Sequence, residues 1–121
     1  MKDRVQELIT DIREGRFLEA FEEFYAEEVV MAENENPPTI GKDANRQREI
    51  AWWSSVKEVH TYEPASVVVD DQKVVINWLV DYTTTEGQRL SWSQSAIQEW
   101  QDGRIVREQF VYDPASIKVA A

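Results

Sequence analysis

Among the side chains of this sequence, Glu33 and Asp81 are the pair best suited to moving a proton. Two carboxylates facing one apolar cavity cannot both ionise freely, because burial and mutual repulsion each disfavour a second negative charge. At least one pKa then rises toward neutrality, where a general acid or base works best. In this arrangement Glu33 is the base and Asp81 its acid partner. Asn77, Gln94 and Glu108 are expected to orient polar substituents, and Met31, Leu79, Trp92, Phe110 and Tyr112 to wall the cavity. The competing reading makes Glu33 one more solvated acid beside Glu27, Glu28 and Glu35, and Asp81 a solvent-facing or Arg-paired carboxylate.

Other chemistries find little support. Cys is absent, which removes thiolate nucleophiles, disulfides and cysteine metal clusters, and His60 is the single imidazole. Neither a metal nor an organic cofactor is expected. Ser91, Ser93 and Ser95 lack a G-x-S-x-G setting, and the acidic run Glu19 to Glu35 lacks calcium-loop spacing. The net charge of −10 disfavours nucleic acid and anionic membrane surfaces. Val74 to Val80, the longest strongly apolar stretch, falls far short of the ~20 residues of a membrane helix, and the first residues show no signal peptide. The expectation is one cytoplasmic domain over residues 1–121, with 42% hydrophobic residues to build its core.

The elements that must position these groups follow from periodicity. Val5, Leu8, Ile9 and Ile12 line one face of a helix over residues 3–14, with Gly15 as its stop. Phe17, Ala20, Phe21, Phe24 and Tyr25 repeat that spacing and predict a second helix to Glu28. Val29 to Ala32 reads as a short strand, and Asn34 to Pro38 as a loop. A third helix spans residues 44–56, with Asp43 as N-cap and Ile50, Trp53 and Val56 on one face. From Val59 onward, β-branched and aromatic runs are punctuated by Asp70-Asp71, Glu86-Gly87 and Asp102-Gly103, giving four strands in a meander. The order ααβαββββ describes an α+β fold with three helices on one face of a curved antiparallel sheet.

Trp92, Gln94, Ala96, Gln98 and Trp100 form the less polar face of their strand and belong beneath the helices. A two-residue hairpin at Glu86-Gly87 pairs Thr85 with Gln88, sets Asp81 opposite Trp92, and turns Val75, Asn77 and Leu79 inward with it. Ile76, Trp78, Val80 and Tyr82 then form an outer stripe too apolar for water, which implies a homodimer through that face. At Asp102-Gly103 a three-residue loop with a bulge pairs Trp100 with Arg104 and directs Glu108, Phe110 and Tyr112 inward.

Three stretches carry a family resemblance: Phe24-Tyr25-Ala26-Glu27-Glu28-Val29-Val30, Pro37 to Ala44, and Asp102-Gly103-Arg104-Ile105-Val106 followed by Phe110 to Asp113. In this order they resemble the nuclear-transport-factor-2-like superfamily, in particular its SnoaL-like branch near the polyketide cyclases and ketosteroid isomerase. The resemblance implies a cone-shaped sheet whose concave face and helices enclose a deep pocket for a small apolar molecule, commonly in a dimer. It also implies cofactor-independent isomerase, cyclase or dehydratase chemistry, or else non-catalytic ligand binding. By the same resemblance Glu33 matches the isomerases' general-base aspartate, while their oxyanion donors fall near Leu8 or Ile9 and near Ala96. Asp81 matches an epoxide-hydrolase aspartate, but that enzyme's arginine reads Leu79 and its last-strand aspartate reads Phe110. The acid/base aspartate of the SnoaL-like cyclases also falls on Phe110, so no catalytic set of the superfamily is complete.

Overall fold

A computed structural model describes residues 1–120. Helix α1 spans Lys2–Arg13 and buries Val5, Leu8 and Ile9. Helix α2, Phe17–Phe24, buries Phe17, Ala20, Phe21 and Phe24. It stops four residues before the expected end, because Tyr25 is already extended (φ −104°, ψ 134°) and opens strand β1, Tyr25–Glu33. Strand β1 runs parallel to the last long strand, Tyr25 opposite Ile105, and this long-range pairing overrides the local helical periodicity.

After the short strand β2 (Thr39–Ile40), helix α3 occupies Lys42–Ser54 behind an N-cap at Gly41, whose φ of 93° suits glycine. It begins two residues earlier than expected, so Asp43 lies in its first turn instead of capping it. The face it turns to the sheet carries Asn45, Glu49 and Trp52 in place of Ile50, Trp53 and Val56. Buried Asn45 fastens the helix start by donating through Nδ2 to the carbonyls of Thr39 (3.0 Å) and Gly41 (2.9 Å).

The four remaining long strands are β3 (Val56–Asp70), β4 (Lys73–Thr84), β5 (Arg89–Gln101) and β6 (Arg104–Val111), with a short β7 at Lys118–Ala120. Their order is β2-β1-β6-β5-β4-β3, and β7 pairs with β5. The meander is antiparallel as expected, but the parallel β1–β6 pair makes the sheet mixed. Pro64 is tolerated because β3 is an edge strand, and three register shifts along β3 bend it into the curl.

One turn decides which side chains face the helices. Between β4 and β5, Thr83 pairs with Arg89, the Thr84 N–H donates to the Gln88 carbonyl (2.7 Å), and Gly87 takes φ 87°. The loop therefore holds three residues, Thr85 to Gly87, one more than the two-residue turn expected. A one-residue slip exchanges the faces of a strand. Val80, not Asp81, lies opposite Trp92, and Val74, Ile76, Trp78, Val80 and Tyr82 are buried in the core. The stripe that motivated a homodimer interface is thus inside the protein, while Asn77, Leu79 and Asp81 belong to the outer face; Leu79 is 45% exposed.

The β5–β6 turn departs from expectation too, with a different outcome. Gln101 pairs with Arg104 around a two-residue turn in which Asp102 (φ 53°) and Gly103 (φ 77°) are both left-handed. A bulge between Glu99 and Trp100 then shifts the register by one, so that Gln98 faces Glu108 and Ala96 faces Phe110. Glu108 and Phe110 point inward as expected, but the bulge lies along the strands and not at Gly103.

Candidate active site

The helices and the concave sheet face enclose a cavity of ≈ 360 Å³. Met31, Glu33, Trp92, Gln94, Glu108, Phe110 and Tyr112 line it, together with Tyr25, Glu49, Trp52, Tyr62, Trp78 and Tyr82, which the sequence did not single out for it. Asn77, Leu79 and Asp81 do not reach it. Asn77 donates to Ser66 Oγ and accepts from Ser95 Oγ (2.5 Å), an outer-face ladder across three strands. Asp81 accepts two hydrogen bonds from Arg89, at 3.0 and 2.9 Å, which hold its pKa below the usual carboxylate range. It cannot act as an acid partner to Glu33.

Glu33 stands at the rim. Tyr112 Oη donates to its Oε2 (3.1 Å) and Arg48 to its Oε1 (3.4 Å), and its side chain is 41% exposed. The carboxyl inside is Glu108, only 2% exposed. Tyr25 Oη donates to its Oε1 at 2.5 Å and Gln98 Nε2 to its Oε2 at 2.6 Å. Burial drives its pKa up to about 7 despite these donors, which favour the ionised form, and Glu49 pushes it the same way. The orientation of Gln98 is forced: the indole of Trp100 can only donate, and it does so to Gln98 Oε1 (2.9 Å), leaving the amide nitrogen for Glu108.

The same logic, four residues away on the same face of β5, fixes a tyrosine. The indole of Trp92 donates to Gln94 Oε1 (3.0 Å), so Gln94 Nε2 is the donor to Tyr62 Oη (3.3 Å). Tyr82 Oη likewise accepts from Trp52 Nε1 (3.3 Å). Both hydroxyl oxygens act as acceptors, which leaves their own hydrogens able to serve a bound molecule. Glu49, on α3, is a second carboxyl with pKa raised to about 7, chiefly by burial, with the Glu33 charge adding to the shift and Arg48 opposing it.

The sequence signal for Glu49 was faint. Asn45, Glu49 and Trp52 follow the i, i+4, i+7 pattern of one helix face, but two of the three are polar, so the face does not read as buried. His60 lies outside the cavity, its Nε2 2.7 Å from Thr83 Oγ1 on the neighbouring strand.

A helix-roofed, curved sheet around a pocket with acidic and tyrosine groups matches a known family: the profile of the SnoaL-like domain aligns with residues 5–108. The chain belongs to the SnoaL-like domain family. Solved structures agree in architecture. A protein of Mesorhizobium loti, provisionally assigned as a SnoaL-like polyketide cyclase, is 23% identical with a TM-score of 0.77, the match covering 92% of this chain and 97% of that one. A provisionally assigned polyketide cyclase of Xanthomonas campestris is 22% identical (TM-score 0.74; 93% and 89% covered). A Catenulispora acidiphila protein of ketosteroid isomerase-like fold, crystallised with trimethylamine, is 12% identical (TM-score 0.76; 93% and 87% covered). At these identities the likeness carries the SnoaL-like fold and not an activity. No curated protein matches the chain by sequence.

Proposed function

We propose that this SnoaL-like protein moves a proton on a small hydrophobic molecule held in its cavity, as a cofactor-independent isomerase, cyclase or dehydratase, with Glu108 as general base. The observation that carries this reading is a buried carboxyl that faces an aromatic cavity and, among the described residues, pairs with no Lys or Arg. A base with pKa near the working pH combines a useful ionised fraction with good proton affinity. Glu108 accepts a proton from a carbon next to a carbonyl, and negative charge develops on the carbonyl oxygen. Tyr62 and Tyr82, their oxygens already occupied as acceptors, turn their hydrogens to that oxygen. Glu108 then returns the proton at another carbon or to a leaving hydroxyl.

The test is solvent exchange. A panel of aryl and cyclic ketones incubated in deuterium oxide should exchange α-protons, as read by proton NMR, and Glu108→Gln should slow that exchange by roughly 10²- to 10⁴-fold. The second reading, a non-catalytic ligand-binding protein, draws on the aliphatic or aromatic residues at the superfamily's acid positions, Ala96 and Phe110 among them. It becomes the better account if panel members bind without exchanging.

Binding itself has an internal reporter. Trp92 lies on the cavity wall with centroids 5.8 Å from Tyr82 and 6.2 Å from Tyr112, so an apolar ligand should change its fluorescence. A Trp92→Phe variant should lose much of that change; an unaltered response would place the ligand elsewhere.

A further inference from the structure

The charges on the cavity wall do not balance. Three carboxyls, Glu33, Glu49 and Glu108, line it against one cation, Arg48, which already donates to Glu33 and to Thr39 Oγ1 (3.1 Å). Glu108 has its two protein donors, whereas Glu49 takes part in no side-chain hydrogen bond or ion pair among the described residues. One turn earlier on the same helix face, the buried Oδ1 of Asn45 has no hydrogen-bond partner. One turn later comes Trp52, whose ring meets Tyr82 at 79° with centroids 5.6 Å apart and Tyr62 at 67° and 6.2 Å. An aromatic lining beside a carboxylate attracts a weakly hydrated organic cation. An aliphatic or unsubstituted aromatic ligand would leave the Glu49 carboxyl unanswered, and a protonated amine could also donate to Asn45 Oδ1.

We propose that the molecule this cavity receives carries a positively charged nitrogen, a protonated amine or a quaternary ammonium, seated beside Glu49 and the rings of Trp52, Tyr62 and Tyr82. This deepens the proton-transfer reading by naming the substrate class, and it rests on that reading for the cavity's role. The rest of the molecule extends toward Glu108 on the opposite, sheet-side wall.

The experiment compares benzyltrimethylammonium with neopentylbenzene, its neutral carbon isostere, by calorimetric titration at pH 8 in the same low concentration of cosolvent. The two probes match in shape and differ in charge. The cation is expected to bind at least tenfold more tightly, and Glu49→Gln to weaken it about tenfold or more while shifting the isostere by less than about threefold. Equal or tighter binding of the isostere to the parent protein overturns the proposal, and so does saturable binding of neither probe or a Glu49→Gln variant that binds the cation undiminished. The comparison in the parent protein decides the matter even if the variant folds poorly. Neither probe has a proton next to a carbonyl, so their binding is independent of the exchange assay. A preference for the isostere would remove the charge assignment and leave Glu108 as base, and absent ketone exchange with intact cation binding would do the reverse.

Discussion

Replacing Glu108 by Gln should make the protein more stable at pH 8 than at pH 5 relative to its parent, by about 2.5 kcal/mol. The Glu108 pKa is about 7 in the folded protein against 4.5 when solvated. Between those values the folded state holds more protons than the unfolded state. Stability is therefore full below pH ~4.5 and falls as pH rises through ~7, by about 1.4 kcal/mol per unit of pKa difference. An amide cannot ionise and lacks this slope. It can keep both neighbours, because Tyr25 is able to reverse its hydroxyl and accept from the new amide while Gln98 still donates. Urea titrations of both proteins from pH 5 to 8 read the effect, since groups not coupled to Glu108 cancel in the difference and only Glu49, which repels it, adds a change of its own. Parallel curves would show that Glu108 ionises as readily inside as outside, and the base assignment would go with them.

Trp100→Ala should be the costliest single substitution, at about 3–5 kcal/mol, the range for truncating a buried large aromatic. Trp100 is 1% exposed and meets Phe24 of α2 edge-on at 6.3 Å, so its loss opens a void where helix and sheet join. Trp100→Phe separates packing from orientation. It keeps an aromatic ring but removes the N–H that Gln98 Oε1 accepts, at roughly 1–3 kcal/mol for an unsatisfied buried acceptor. Gln98 is then free to turn its oxygen toward Glu108, and the Glu108 pKa should climb further. Carbon-detected titration of Glu108 reads that shift, which a purely structural Trp100 would not produce.

The place of Trp92 in the cavity was legible because β5 is two-faced, Trp92, Ala96 and Trp100 being less polar than Ser91, Ser93, Ser95 and Glu99, whereas Glu108 and Phe110 were turned inward by a bulge other than the one expected. Strand β4 offers no such contrast. Val74, Val75 and Ile76 follow one another, as do Leu79 and Val80, so both faces look able to be buried. Its facing was left to the turn, and Glu86-Gly87 suits a two-residue or a three-residue loop because a left-handed glycine fits either. The extra residue carried Asp81 out to Arg89 and brought Trp78 and Tyr82 in.

The sequence alone determined the order of the elements, the antiparallel meander, the inward face of β5 and the acidic, cysteine-free chemistry available, because local periodicity, turn residues and composition act over a few positions at a time. The tertiary structure decided which carboxylates share the cavity. Glu108 gained its raised pKa from the water that packing removed, against the opposing hydrogen bonds of Tyr25, 83 positions away along the chain, and of Gln98, itself fixed by Trp100. Glu49 entered the site because α3 lies across β1 with a polar face turned inward, an orientation favoured by a cavity that a packed core would have filled. Desolvation and long-range pairing depend on the whole fold, and no window of neighbouring residues contains them.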